Sequence, residues 1–83
     1  MEHELKIPPR YFNPVHTGRK PFDVRRNDRA FSVGDIVILR EYMNYSNQFT
    51  GRVTRKQITY IQRDPAFCKE GWCILGLGPV EED

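Results

Sequence analysis

The chain has 83 residues, of which 39% are hydrophobic and 29% charged, and its formal net charge is +2. A chain this short has room for one hydrophobic core, so residues 1–83 are expected to form a single domain with an acidic tail at 81–83. The longest aliphatic run, Ile36 to Leu39, is far below the roughly 20 apolar residues that a membrane-spanning helix needs. The N-terminus also lacks the pattern of a secretory signal, and we expect a cytoplasmic protein with no membrane partner.

The first predicted elements are a strand and a short helix. Apolar and charged residues alternate from His3 to Ile7, which is typical of a strand. The pair Pro8-Pro9 ends that strand and suits the first turn of a helix that Gly18 closes. Because Pro14 removes a helical hydrogen bond, it predicts a kink or a break in this helix.

The segment His16 to Arg29 is basic, with five Lys or Arg against two Asp in fourteen residues. Its second half alternates with a period of two, and the apolar residues Phe22 and Val24 are predicted to face the core. Asp23 and Arg25 would then lie on a charged outer face. A surface ladder with Arg40 and Glu41 on the neighbouring strand is a purely structural interpretation of that pair.

Three further strands follow from hydrophobic runs. Ile36 to Leu39 is expected to be buried on both faces and to lie at the centre of the fold. A loop is predicted from Tyr42 to Thr50, followed by a strand from Gly51 to Ile61 with a bend or bulge at Arg55-Lys56. The last strand begins at Trp72. Core positions are also predicted for Phe31, Val33 and Trp72. These elements describe a mainly β fold, a small and mostly antiparallel barrel with one short N-terminal helix.

Cys68 and Cys73 are the only cysteines, and their spacing matches no recognised metal motif. In a reducing compartment they are expected to pack as small apolar groups. Neither a metal site nor a cofactor is predicted.

Several motifs resemble a known family of small domains. The residues that carry this resemblance are His3-Glu4-Leu5-Lys6-Ile7, Gly18-x-Lys20, Phe22-Asp23-x-Arg25, Asn27-Asp28-Arg29-x-Phe31-x-Val33-Gly34-Asp35 and Leu39-Arg40-Glu41. They are similar to the ASCH branch of the PUA-like superfamily, and to small bacterial and phage domains of unassigned function, from His3 to Ile61 and more weakly to Leu77. The resemblance implies a five- or six-stranded barrel with a groove beside the first helix that holds RNA or a nucleobase.

The resemblance also implies an enzymatic alternative. Some ASCH domains are small amidohydrolases that remove an acyl group from a modified cytidine with a Lys, a Thr and a Glu. Carried over to this sequence, these positions fall on Lys20, on Asp23 in place of the Thr and, in a shortened segment, on Glu70. A carboxylate beside Lys20 holds the ammonium group charged, which favours an ion pair over proton abstraction.

The function that these patterns favour is binding of RNA or a nucleotide in a basic cleft beside the helix. Lys20, Arg25 and Arg29 are predicted to line that single cleft, and Tyr11, Tyr42, Tyr45 and Trp72 are candidates for stacking on an unpaired base. The complete set of predicted contact residues is Lys20, Asp23, Arg25, Arg29, Arg40, Arg55 and Lys56. A small hydrolase and a protein-interaction accessory domain remain as alternatives.

Overall fold

The computed structural model describes residues 1–81, so Glu82 and Asp83 of the predicted acidic tail lie outside the described residues. Within 1–81 the chain forms five strands and one helix. In chain order they are β1 (Glu2–Ile7), α1 (Pro9–Thr17), β2 (Phe22–Arg26), β3 (Ile36–Met43), β4 (Gln48–Gln62) and β5 (Trp72–Gly78). No helix in this part of the chain is long and apolar enough to cross a membrane.

All five strands belong to one sheet, in the order β1-β3-β4-β5-β2. The pairing of β1 with β3 is parallel, and the other three pairings are antiparallel. The predicted mainly β architecture is therefore confirmed, but β4 and not β3 is the central strand. In β3, Val37 and Leu39 are buried while Ile36 and Ile38 are only partly covered, so the prediction of burial on both faces is wrong.

Helix α1 covers the inner face of this sheet with Phe12 and Val15. Pro9 occupies the first turn, and Gly18 closes the helix in the left-handed conformation at φ 84°. The helix continues through Pro14, so of the two predicted effects of this residue, a kink or a break, the break does not occur. His16 ties it to β4, since its Nδ1 lies 2.9 Å from the hydroxyl oxygen of Thr54.

Strand β2 has the reverse orientation to the one predicted. Asp23 is only 4% exposed, whereas Phe22 and Val24 are 41% and 48% exposed. Asp23 and Arg25 lie opposite Leu75 and Cys73 of β5, both of which are fully buried. The neighbour of β2 is β5, so the predicted surface ladder with β3 does not form. Alternation shows which residues share a face of a strand, but not which face points inward. Asp23 and Arg25 can occupy the inner face because their charges neutralise each other.

The edge strands β1 and β2 are joined by side chains and not by a ladder. One guanidinium nitrogen of Arg25 donates to the carbonyl oxygen of Lys6, and Arg29 Nη1 lies 3.4 Å from the carbonyl oxygen of Glu4. Over residues 1–81, β1 and β2 form no backbone pairing with each other. The sheet is therefore not closed into the expected barrel, and arginine side chains span the interval between its two edges.

The segment predicted as a loop between β3 and β4 is mostly a hairpin. Tyr42 lies opposite Phe49 with ring centroids 4.9 Å apart, and Asn47 adopts a positive φ of 53° at the turn. The β3–β4 ladder is regular at Arg55 and Lys56, so the bulge is not where it was predicted. Register shifts occur instead between Arg40 and Tyr42 and between Ile58 and Tyr60.

Among the remaining predicted core aromatic and aliphatic residues, the outcome is mixed. Phe31 is buried and belongs to the core. Val33 is exposed, and Trp72 is half-buried on the outer face of β5, so neither occupies the predicted core position.

Candidate nucleic-acid interface

The interval between β1 and β2 opens as a recess of about 240 Å³, which we call the β1–β2 recess. Leu5 and Phe31 contribute apolar surface to it from below. Among residues 1–81, three arginines line it, Arg25, Arg26 and Arg29, together with one carboxylate, that of Asp28. The recess therefore carries an excess of positive charge beside apolar surface, which suits a ligand with both anionic and apolar parts.

Arg25 acts mainly as a brace within this recess. Its Nε lies 2.5 Å from Oδ2 of Asp23, and a terminal nitrogen binds the Lys6 carbonyl. Both members of the Asp23–Arg25 ion pair are largely buried, since the Asp23 side chain is 6% exposed and the Arg25 side chain 20%. Asp23 is thereby occupied by Arg25 and lies on the inner face of the sheet, where it is not available to orient a ligand.

Arg26 and Arg29 are the more accessible cations of the recess. Among residues 1–81 no carboxylate pairs with Arg26, whose guanidinium carbon lies 5.3 Å from the centroid of the Trp72 ring. Arg29 Nε is 3.7 Å from a carboxylate oxygen of Asp28, and both side chains are exposed. Exposed pairs of this kind contribute only about 0–1 kcal/mol, so a phosphate can compete for Arg29. Sequence reasoning missed Arg26 because it assigned the outer face of β2 to the wrong residues.

Lys20 does not line this recess, so the predicted single cleft is wrong for that residue. Its ammonium nitrogen lies 3.7 Å from the centroid of the Tyr11 ring. Together with Lys56 it lines a separate recess of about 190 Å³ beside Gly18 and Pro79. Lys56 donates to the carbonyl oxygen of His16 at 3.2 Å.

Arg40 and Arg55 lie on other parts of the surface. Arg40 lines a third recess, of about 190 Å³, that adjoins the β1–β2 recess at Leu5. Its guanidinium carbon lies 4.1 Å from the centroid of the Phe49 ring, and its Nη1 lies 3.7 Å from a carboxylate oxygen of Glu4. Arg55 pairs with Glu2 at 3.2 Å. Of the seven predicted contact residues, the β1–β2 recess thus brings together only Arg25 and Arg29 as lining groups.

The three catalytic candidates do not form a common site in the described chain. Lys20, Asp23 and Glu70 share neither a hydrogen bond nor a recess with one another. Glu70 lies exposed before β5, and Asp23 is held by Arg25. Hydrolysis requires a nucleophile and a base within hydrogen-bond reach, and this geometry offers no support for that reaction. In the same part of the chain no three His, Cys, Asp or Glu side chains lie together as metal ligands.

A buried polar pair that the sequence did not reveal supports the floor of the recess. His3 Nε2 lies 2.8 Å from a carboxylate oxygen of Asp35, and the ring of His3 meets Phe31 edge-on at 4.8 Å. The backbone N–H of Ser32 also donates to Asp35, at 3.0 Å. The hydrogen bond from His3, with that from Ser32, lowers the pKa of the Asp35 carboxyl below its ordinary value, although burial opposes the shift. This pair fastens the turn before β3 to β1 and thereby fixes Phe31.

The predicted stacking candidates are also dispersed. Trp72 lines the β1–β2 recess, whereas Tyr11 lies next to Lys20 and outside that recess. Tyr42 packs against Phe49 and Tyr45 is exposed near the hairpin turn, so both belong to the β3–β4 hairpin. Trp72 is therefore the candidate that the structure brings next to the arginines.

Comparison with known proteins gives a family and a phage relative, neither with an assigned function. An uncharacterized 12.9 kDa protein in the GpA 3' region of Escherichia phage P2 is 39% identical over 57 residues, which cover 69% of this chain and 50% of that protein. The chain thus spans about half the length of that curated relative. The profile of the family described as "Domain of unknown function (DUF3850)" matches residues 2–77. The chain therefore belongs to this family of small domains of unknown function.

Proposed function

We propose that this domain binds RNA or a nucleotide through the β1–β2 recess. The observation that carries the proposal is the gathering of Arg26 and Arg29, beside the Asp23-paired Arg25, around one concavity in which Asp28 is the one carboxylate among the described lining residues. Phosphate oxygens would meet the accessible guanidinium groups of Arg26 and Arg29, because arginine donates two parallel hydrogen bonds to a phosphate. Arg25 positions the edges of the sheet, and Trp72 presents an aromatic surface next to Arg26.

The fold itself supports a related proposal about ancestry. We infer that the sheet is a variant of the ASCH branch of the PUA-like barrel in which Arg25 and Arg29 span the interval between the edge strands. The resemblance in the motifs from His3 to Glu41, the helix after β1 and the predominantly antiparallel sheet support this inference. A different strand order in an experimentally determined ASCH domain would contradict it.

The proposed setting is the cytoplasm, where RNA and nucleotides are available. Cys68 and Cys73 are free thiols in the structure, which is the state that a reducing compartment maintains. Localisation of the tagged protein in its host would test this setting, and recovery from a secreted fraction would contradict it.

A binding titration tests the functional proposal. Short single-stranded RNAs and free nucleotides are titrated at two salt concentrations against the wild type, Arg26→Ala and Arg29→Ala. Each substitution is expected to weaken binding and to reduce the magnitude of the negative slope of log K against log salt by about 0.7, because one phosphate contact to a single strand is lost. Arg55→Ala is the matched control, since it removes the same charge from a residue that pairs with Glu2 elsewhere.

The proposal fails if the wild type binds neither nucleotides nor RNA at low salt. It also fails if the three variants lose affinity equally, because binding would then report only the net charge of the domain.

A further inference from the structure

The outer face of β2 and β5 carries an apolar surface next to the proposed site. We call it the outer-face patch and define it by Phe22, Val24, Phe67, Trp72 and Ile74. Phe67, in the turn before β5, is 73% exposed. A recess of about 280 Å³ lies within the patch, and four of the five residues line it, namely Val24, Phe67, Trp72 and Ile74.

The outer-face patch is continuous with the β1–β2 recess. Val24 and Trp72 line both concavities, so a ligand can pass from one to the other across these two side chains. This continuity follows from the reversed orientation of β2, which places Phe22 and Val24 outside. Exposed apolar surface of this kind costs free energy in water, so a covering partner gains from burying it.

The charges around the patch favour an anionic occupant. Lys69 lines its recess, and none of the lining residues is a carboxylate in the described chain. The Arg26 guanidinium lies over Trp72, and the ammonium nitrogen of Lys20 lies 5.3 Å from the centroid of the Phe22 ring. A symmetric dimer formed through the outer-face patch is disfavoured, because it would bring two positively charged surfaces together.

An occupant that is both anionic and flat matches this combination of groups. Unpaired bases stack on aromatic rings while their phosphates meet Lys and Arg side chains. In a duplex the faces of the bases are already stacked on each other, so they cannot use such rings. The chemistry of the patch therefore favours single strands over double strands.

We propose that the ligand is single-stranded RNA whose chain continues from the β1–β2 recess over the outer-face patch. Bases stack on Trp72 and Phe67, and Lys69 contacts the phosphates between them. This inference rests on the proposed function of the recess, and it narrows the ligand from a nucleotide to an oligonucleotide of several residues.

A length series in two proteins tests the inference. Mono-, di-, tetra- and hexanucleotides are titrated against the wild type and Phe67→Ala. In the wild type, affinity is expected to rise at least about tenfold from the mononucleotide to the tetranucleotide, as bases are added to the patch. Phe67→Ala is expected to lose about fivefold or more of the tetranucleotide affinity and to leave the mononucleotide affinity unchanged.

Tyr45→Ala is the matched control, because Tyr45 is an exposed aromatic residue of the β3–β4 hairpin and lines neither concavity. It should bind the whole series as the wild type does. Circular dichroism of each variant verifies that the exposed substitutions leave the fold intact.

The possible failures are distinguishable. Mononucleotide binding without a gain with length, or a neutral Phe67→Ala, overturns the extended path and leaves the proposed function standing. No binding of any nucleotide or oligonucleotide overturns both. If duplex and single-stranded RNA bind equally well, bases do not stack on the patch. If Phe67→Ala binds RNA normally but loses a protein partner, the patch is a protein-docking surface.

Discussion

The two faces of strand β2 differ in a way that composition alone does not suggest. The inner face carries the charged residues Asp23 and Arg25, and the outer face carries Phe22 and Val24. On the inner face the charges pair with each other and reach across to β1, so their main effect is on stability. On the outer face the side chains are accessible, so we expect their main effect to be on the proposed binding. In so small a sheet, the pairing of Asp23 with Arg25 allows charged residues to face inward.

The largest effect is expected when the inner ion pair is broken. Asp23→Leu leaves the guanidinium of Arg25 largely buried without its carboxylate, and we expect a loss of about 3 kcal/mol in the free energy of unfolding. Urea denaturation followed by circular dichroism measures it. The double variant Asp23→Leu/Arg25→Met removes both charges, so it should recover part of the lost stability. A loss below about 1 kcal/mol in the single variant would show that the pair is not a structural brace.

A smaller effect is expected on the outer face of the same strand. Phe22 is 41% exposed and lies opposite Gly76, so Phe22→Ala removes only part of a buried ring. We expect it to lower the free energy of unfolding by about 1 kcal/mol, less than Asp23→Leu does. The same urea experiment compares the stability losses of the two variants. A larger loss for Phe22→Ala would show that the outer face of β2 contributes more to stability than the inner one.

Lowering the pH should weaken the buried interaction of Asp35 with His3. The folded pKa of Asp35 is lowered, chiefly by His3, so its contribution to stability is present above the unfolded pKa. It is lost as the pH falls through the lowered folded value. Unfolding free energies measured from neutral pH downward should therefore fall more steeply for the wild type than for Asp35→Asn. If the unfolding free energies of the two proteins fell equally with pH, Asp35 would not be the source of the acid sensitivity.

The smallest effect is expected for Arg40, which lines the neighbouring recess. Its guanidinium already lies over Phe49 and next to Glu4, so Arg40→Ala should weaken RNA binding by about threefold at most. Titration beside Arg26→Ala measures the difference. An effect of Arg40→Ala as large as that of Arg26→Ala would extend the interface to both sides of Leu5.

Much of the fold follows from local patterns in the sequence. The Pro8-Pro9 pair, Gly18 and the runs around Val37 and Ile58 predict the helix and most strands, because caps and hydrophobic periodicity act locally. The hairpin after Tyr42 escaped prediction because its strands are largely exposed on both sides and show no apolar alternation. Pairing partners are also not local, and nothing near Phe22 in the sequence indicates that β2 pairs with β5.

The candidate site was less predictable for the same reason. Arg25 and Arg29 are close in sequence and lie together, but Lys20 is equally close in sequence and lies in another recess. Arg26 was missed because the assigned face of β2 was reversed. The approach of β1 to β2 creates the recess, and it depends on contacts between Arg25 and Lys6 that no sequence period encodes.

RNA binding in the β1–β2 recess can be located by following amide chemical shifts during titration with a short single-stranded RNA. We expect the largest changes at residues 25–29 and at Trp72, with little change at Arg55 and Lys56. Changes concentrated around Lys20 and Lys56, with none at residues 25–29, would contradict binding in that recess.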